Sequence, residues 1–237
     1  MENYQKESEK IDTLINKKYP YDEESDIGPI LDGVIDYEKY FSSKYKILWI
    51  LKEPYDDFTE EGKPKGGCWD YRIMVNSKNS INDFGTEKKT FSPIIYTSYG
   101  LLNGFIQYDN MDDSSNSVVF NSLKQIAIIN VKKLPGYRQS HYRIIETAYQ
   151  DNKEILLKQI ELCSPDIVIA GNTLQYFLSD LGIDQNNKKI RCPGSFPYYR
   201  KNNSILIAGY HPACVPRSTS EEDYCNDIIN TIKSIIN

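Results

Sequence analysis

The sequence predicts an α/β protein in which a parallel β-sheet is covered by helices on both faces. The segments 45–53, 125–131, 166–170 and 204–210 have the character of buried strands. Each is a nearly continuous apolar run, which is typical of strands that pack against helices on both sides. Segments with helical periodicity separate these runs, and parallel strands need such long crossover connections.

The other ordered segments are predicted helices. Their expected bounds are 5–18, 34–43, 70–77, Ile94–Ile106, 142–163, Thr173–Leu181 and 220–236. Ser164-Pro165 ends the long amphipathic helix, and Gly182 ends the helix that follows it. A capping box, Ser220-Glu221-Glu222-Asp223, opens the last helix. Most of residues 55–92 is expected to be a long loop, and so long an excursion in a compact domain is usually functional.

The length and composition suit a single domain. The chain has 237 residues, of which 40% are apolar and 12% aromatic, so a core is expected and disorder is not indicated. We expect one domain over residues 1–237, with residues 1–44 as an N-terminal helical extension packed on it. No apolar run reaches membrane-spanning length, and residues 1–4 begin no signal peptide. We therefore expect a cytoplasmic protein without membrane contact.

The cysteines and histidines argue against a metal centre. The chain has five cysteines without a C-x-x-C pair, and only two histidines. An odd number of cysteines in a cytosolic context predicts free thiols, and two histidines exclude a histidine-rich site. An iron–sulfur or zinc site from widely spaced cysteines is the less favoured alternative. We expect neither a metal nor another cofactor.

The charge is negative overall but positive in two loops. The net charge of -5 argues against nucleic-acid binding. Residues 130–144, however, contain Lys132, Lys133, Arg138 and Arg143 without any acidic residue, and residues 185–208 are likewise basic and free of acids. Such loops can form a local rim that contacts phosphate. The alternative is that they only collect solvated charge.

Polar side chains stand at the end of each predicted strand. They are Glu53, Asn130, Asn172 and His211, and the carboxyl ends of parallel strands share the edge at which ligands bind. A carboxylate and an imidazole at this edge suggest an acid/base pair and hence an enzyme. The amide of Asn130 can read the planar edge of a nucleobase. The alternatives are a turn-capping Asn130 and a surface Glu53.

Together and in this order, these features resemble the uracil-DNA glycosylase superfamily, from about residue 45 to the C-terminus. The resemblance rests on Lys52-Glu53-Pro54-Tyr55, Ser92-Pro93 with the following helix, Ile129-Asn130-Val131, Pro165–Gly171 and Tyr210-His211-Pro212-Ala213. It implies a three-layer α/β/α sandwich around a four-stranded parallel sheet.

The resemblance also implies hydrolysis of the N-glycosidic bond of uracil or a related deaminated base in DNA, on a flipped-out nucleotide. By position, Glu53 is then the carboxylate, His211 the group that stabilises the departing base, and Asn130 the base reader. Asn172 lines the same pocket. Tyr55 would wall the pocket, and Phe58 or Trp69 would stack on the base. The implied partner is DNA, and we expect a monomer.

The sequence departs from the family pattern at several positions. Glu53 stands where the most efficient members have Asp, and Ala213 replaces a Ser. The usual Leu wedge is missing, which leaves Val215 or Arg217 to fill the vacated base stack. With the acidic overall charge, the Glu-for-Asp exchange favours two rival hypotheses. One is an inactive protein of this fold that binds nucleic acid or a protein partner, and the other is a nucleoside or nucleotide hydrolase.

Overall fold

A mixed β-sheet of six strands lies at the centre of the structure. The computed structural model describes residues 2–54, 67–136, 141–190, 195–214, 216 and 218–236. The strands are β1 (Ile27–Leu31), β2 (Gly33–Val34), β3 (Ile47–Leu51), β4 (Gly67–Asp70), β5 (Ala127–Asn130), β6 (Ile167–Gly171), β7 (Tyr198–Lys201) and β8 (Ser204–Gly209). The α-helices are α1 (Glu2–Lys18), α2 (Tyr37–Ser42), α3 (Tyr71–Asn76), α4 (Lys88–Leu102), α5 (Ser117–Phe120), α6 (Tyr142–Cys163), α7 (Leu174–Phe177) and α8 (Glu221–Ile236).

Parallel strands form the middle of the sheet, in the order β5–β3–β6–β8. These strands correspond to the apolar runs of the sequence, so the predicted α/β class is confirmed. The sheet as a whole differs from the expected four-stranded parallel one, because β2 and β7 pair antiparallel at its two edges.

The edge strands escaped prediction because each is short. β2 has two residues, and β7 is a four-residue strand, Tyr198–Lys201, in a segment that its basic residues marked as a loop. A tight turn joins β7 to β8, with Asn202 in the left-handed region at φ 52°. Asparagine tolerates this conformation better than most residues, so the Asn202-Asn203 pair was the available signal for a hairpin.

The central strands bury both of their faces. Along β3, Ile47, Trp49 and Leu51 belong to one apolar cluster, and Leu48 and Ile50 belong to the other. The alternation follows from the two-residue period of a strand. Helices α4 and α8 contribute to the first cluster, and α6 and α7 contribute to the second. The protein therefore has helices on both sides of its sheet.

Helix α4 begins six residues earlier than the predicted Ile94. The prediction placed Pro93 before the helix, and a proline inside a helix removes one backbone hydrogen-bond donor. Here Pro93 lies inside the helix, and nearly every side chain from Phe91 to Leu101 is buried. The burial of that apolar surface outweighs one missing hydrogen bond. Among the described residues, no helix has the length and apolar character needed to cross a membrane.

The N-terminal segment is more than a helical extension. Helix α1 packs on α6 through Ile11, Ile15 and Ile155, but residues 27–34 form two strands. β1 pairs with β4, and its Ile30 N–H donates to the carbonyl of Lys133 at 2.8 Å, which joins this small sheet to the chain beyond β5. β2 then becomes an edge of the main sheet. The described residues 2–44 are therefore built into the α/β core.

Asp32, between β1 and β2, is the centre of a buried polar cluster. Its Oδ1 accepts from Lys133 Nζ at 2.6 Å and from Gln159 Nε2 at 2.8 Å. Its Oδ2 accepts from the backbone N–H of Asn130 at 2.8 Å. The side chains of Asp32 and Lys133 are both 0% exposed. The prediction that Lys133 contacts nucleic acid is therefore wrong, because its ammonium lies in the interior and pairs with Asp32.

The buried pair leads to a prediction about stability. We expect Lys133→Met to lower the free energy of unfolding by roughly 3–5 kcal/mol, because Asp32 would remain as a buried charge without its cation. Lys153 serves as the control, since it pairs with Asp180 at 3.2 Å on the surface. Lys153→Met should cost less than about 1 kcal/mol. Urea unfolding of both variants gives the comparison, and equal losses would contradict the role assigned to Lys133.

Candidate active site at the carboxyl edge of the sheet

The parallel strands bring the predicted residues to one edge of the sheet. Glu53 follows β3, Asn130 ends β5, Asn172 follows β6 and His211 follows β8. The chain leaves β3 for β5 on one side and returns to β6 on the other. The strand order therefore reverses between β3 and β6, and ligands of open α/β sheets bind beyond the carboxyl ends of strands at such a point.

Gly171, the last residue of β6, shows how closely the neighbouring strand ends approach each other. A Cβ at this position would lie 3.2 Å from the Cα of His211, 3.3 Å from Cδ of Pro212 and 3.4 Å from Cδ2 of Leu51. The end of β3 and the turn after β8 thus meet over a residue that has no side chain. His211 is thereby brought next to the reversal point.

The chemical state of His211 follows from its contacts. Its Nδ1 accepts a hydrogen bond from the backbone N–H of Ala213 at 3.3 Å. The proton of the neutral ring must then sit on Nε2. Burial, together with the positive charge of Lys52, lowers the pKa of His211 from 6.5 to about 4. At neutral pH the ring is therefore an uncharged donor with one available N–H.

Glu53 lies on the β5 side of the same edge. Its Oε2 accepts from Lys132 Nζ at 3.1 Å, and Lys132 also donates to the carbonyl of Pro135 at 2.8 Å. The side chain of Glu53 is 5% exposed. Lys132 therefore lies beside the nearly buried carboxylate of Glu53 and balances its charge. The sequence had predicted a phosphate contact for Lys132.

Backbone pairing beyond the strands positions this ion pair. The N–H of Lys132 donates to the carbonyl of Lys52 at 2.9 Å, and the N–H of Gly136 donates to the carbonyl of Pro54 at 2.9 Å. Gly136 also lies directly against Glu53, since a Cβ built there would overlap the carboxyl group. Glycine is required at position 136 because the Glu53 carboxyl group leaves no room for a Cβ. The sequence pattern did not indicate this requirement.

Asn130 is the last residue of β5 and is 0% exposed. Its Cα is in register with Leu51 of β3, so it belongs to the sheet and does not cap a turn. Its Nδ2 donates to Asp32 Oδ2 at 3.3 Å. Its Oδ1 is buried without a hydrogen-bond partner among the described residues. This unsatisfied acceptor is unusual, because most buried polar groups are hydrogen-bonded.

The backbone conformation at position 172 explains why an asparagine stands there. It adopts a left-handed conformation at φ 58°, which asparagine tolerates better than most residues. Its N–H donates to the carbonyl of Gly209 at 2.9 Å, and its own carbonyl accepts from Gln175 Nε2 at 3.1 Å. The first of these bonds ties the end of β6 to that of β8, and the second ties it to α7. The position explains Asn172 as a turn residue at the edge of the site.

The remaining predicted site residues are less closely tied to this edge. Trp69 lies on β4, is partly buried, and packs against the apolar cluster that contains Leu51. Arg143 is exposed on the first turn of α6. The predicted residues Tyr55, Phe58, Arg138, Val215 and Arg217 lie outside the described part of the chain.

A cleft of about 470 Å³ opens beside the end of β8, on the side away from Glu53. Its lining includes Phe196, Tyr210, Asp223, Tyr224 and Asp227. The sequence did not predict it, because it forms between the β7–β8 hairpin and the first turns of α8. It neighbours His211 along the chain but does not include Glu53 or Asn130. No group of three metal-ligating side chains occurs in the described part of the chain.

The state of His211 can be measured directly. We expect its imidazole to titrate with a midpoint near pH 4, because burial and Lys52 oppose the charged form. The native pKa of His211 lies below its value in the unfolded chain, so protonation favours the unfolded state. The contribution of His211 to the free energy of unfolding is therefore complete above about pH 6.5. As the pH falls toward 4, the free energy of unfolding decreases by up to about 3 kcal/mol. NMR of the two imidazoles, assigned with His141→Ala, measures the titration. A midpoint near 6.5 would contradict the arrangement.

The contact between Gly136 and Glu53 predicts a specific cost. We expect Gly136→Ala to lower the free energy of unfolding by about 1–3 kcal/mol, because the new methyl group must displace the Glu53 carboxyl. Gly209→Ala is the matched control, since its nearest neighbour would be at 3.6 Å, an ordinary contact. Denaturant unfolding should leave the control nearly unchanged. A neutral Gly136→Ala would show that Glu53 is free to move away.

Comparison with known proteins gives this site no assignment: no protein-family model matches the chain, and no curated protein matches it significantly.

Proposed function

We propose that this protein is a DNA base glycosylase that hydrolyses the N-glycosidic bond of uracil or a related deaminated base. One observation carries the proposal. The neutral His211, which can donate through its Nε2–H, lies at the same sheet edge as the nearly buried carboxylate of Glu53. The uracil-DNA glycosylase-like fold is part of the proposal. It is supported by the parallel core and by the positions of Glu53, Asn130 and His211 at the strand ends.

His211 would act on the leaving group. When the glycosidic bond breaks, negative charge develops on an oxygen of the departing base. A neutral N–H donor that is already fixed in place stabilises that charge without reorganisation. A histidine with a pKa near 4 suits this role, because it remains an uncharged donor across the physiological range.

Glu53 would act on the sugar. Glycosidic cleavage develops positive charge on the ring, which a nearby carboxylate stabilises while it orients the attacking water. Lys132 binds Oε2 of Glu53 in the resting structure. The second carboxylate oxygen, or a rotation of Glu53 away from Lys132, would then serve the reaction. The longer Glu side chain supplies the reach for either.

A nucleoside or nucleotide hydrolase is the second candidate, and the charge distribution favours it. Of the predicted phosphate contacts that the structure describes, Lys133 is buried and Lys132 is paired with Glu53. Of these predicted contacts, Arg143 alone has an exposed side chain among the described residues. A long phosphate backbone needs several such cations, whereas a monomeric substrate does not.

The test uses oligonucleotides that contain uracil, hypoxanthine or xanthine, with strand breakage at the abasic product as the readout. We expect release of at least one base, and a loss of about 10²–10³ in the single-turnover rate for His211→Ala. DNA affinity should change much less, because the bond to His211 strengthens as charge develops. His141→Ala removes the other histidine, which is exposed, and should retain the wild-type rate.

The same assay separates the alternatives. Equal losses of rate and DNA affinity in His211→Ala would indicate a binding role for this residue. Hydrolysis of free nucleosides or nucleotides without action on any oligonucleotide would favour the second candidate. DNA binding without release of a base from oligonucleotides, free nucleosides or nucleotides would contradict both enzymatic hypotheses.

A further inference from the structure

The amide of Asn130 is held in one orientation by Asp32. Oδ2 of Asp32 accepts from the backbone N–H of Asn130 at 2.8 Å and from its Nδ2 at 3.3 Å. An ionised carboxylate can only accept hydrogen bonds. A rotation of the Asn130 amide by 180° would therefore set two acceptor oxygens against each other. The nitrogen must face Asp32.

Asp32 itself has no freedom to adapt. Its Oδ1 is bound by Lys133 Nζ at 2.6 Å and by Gln159 Nε2 at 2.8 Å, and Gln159 also donates to the carbonyl of Asp32 at 3.2 Å. The Lys133 ammonium pairs with this carboxylate where both side chains are 0% exposed. Because these donors hold the far oxygen, the near oxygen stays fixed beside Asn130.

The other end of the Asn130 amide is left unsatisfied. Its Oδ1 is buried and has no hydrogen-bond partner among the described residues. A buried carbonyl without a hydrogen-bond partner is unfavourable, so a ligand that donates a hydrogen bond at this point would gain by binding. One hydrogen of Nδ2 also has no acceptor among the described residues, because Asp32 uses only one of the two.

We propose that Asp32 is a positioning residue that makes Asn130 present its carbonyl oxygen and remaining amide hydrogen in a fixed order, and so selects lactam bases over cytosine. The inference rests on the proposed function, whose base-reading role for Asn130 it specifies. Uracil, hypoxanthine and xanthine offer a ring N–H donor beside a carbonyl acceptor. Cytosine offers an amino donor beside a ring nitrogen acceptor, which is the reverse order. Reading cytosine would require the rotated amide, which Asp32 opposes.

The decisive variant combines Asp32→Ala with Lys133→Met. An alanine at position 32 removes the acceptor that holds Nδ2 of Asn130, so the amide can take either orientation, and removal of the Lys133 charge avoids a buried ion without a partner. Gln159→Leu is the matched control. It perturbs the same buried cluster through Asp32 Oδ1 but leaves the bonds between Oδ2 and Asn130 intact.

The readout is the ratio of single-turnover rates on matched oligonucleotides that contain uracil or cytosine. We expect this ratio to fall at least tenfold in the double variant and to stay unchanged in Gln159→Leu. Folding of each variant is checked by its thermal transition. A folded double variant that keeps the wild-type ratio would overturn the role of Asp32. A wild-type protein that releases no base would instead refute the proposed function.

A measurement on the wild type keeps the inference testable in every case. Free uracil should shift the side-chain NH₂ signals of Asn130 in ¹⁵N NMR spectra, whereas 3-methyluracil, which lacks the N3–H, and cytosine should not. Without ligand, these NH₂ protons should exchange slowly in the wild type and in Gln159→Leu. Equal shifts with uracil and cytosine, or exchange as fast as that of exposed asparagines, would overturn the inference even if the double variant does not fold.

Discussion

The buried carboxylate of Asp32 is the constraint on which much of this structure depends. It joins three parts of the chain that are distant in sequence, namely the N-terminal strands, the end of β5 and the C-terminal part of α6. A buried charge is tolerated only when its partners are complete, and Lys133, Gln159 and Asn130 supply them. Their mutual dependence fixes β2 as an edge of the sheet and anchors the segment that continues to Gly136.

From this anchor the two sides of the candidate site acquire different electrostatics. On the β5 side, Lys132 balances the nearly buried Glu53. On the β8 side, burial and the charge of Lys52 keep His211 neutral. Adjacent residues of one strand end, Lys52 and Glu53, thus act on opposite sides of β3. A carboxylate and a donor that are kept apart in this way can address two parts of one substrate, and the proposed function assigns them to the sugar and the base.

Most of the fold was predictable because its central strands carry a strong local signal. A strand covered on both faces must be apolar at every position, so 45–53, 125–131, 166–170 and 204–210 are recognisable without structural information. Edge strands have no such requirement. β2 is short, and β7 carries the polar Arg200 and Lys201, so both resemble loops in the sequence. The start of α4 was predicted after Pro93 for a related reason. Burial of the helix in the folded protein overrode the tendency of proline to be excluded from helix interiors.

The sequence by itself determined the α/β class and the arrival of Glu53, Asn130, Asn172 and His211 at one edge, because strand direction alone places carboxyl ends together. Only the tertiary structure decided what each group does there. Whether a lysine is a surface cation or a buried counterion depends on what packs around it, and the adjacent Lys132 and Lys133 differ in this respect although the sequence gives no sign of it. The orientation of Asn130 likewise depends on Asp32, a residue 98 positions away. Local sequence carries no record of such distant contacts, because burial and pairing are properties of the folded chain.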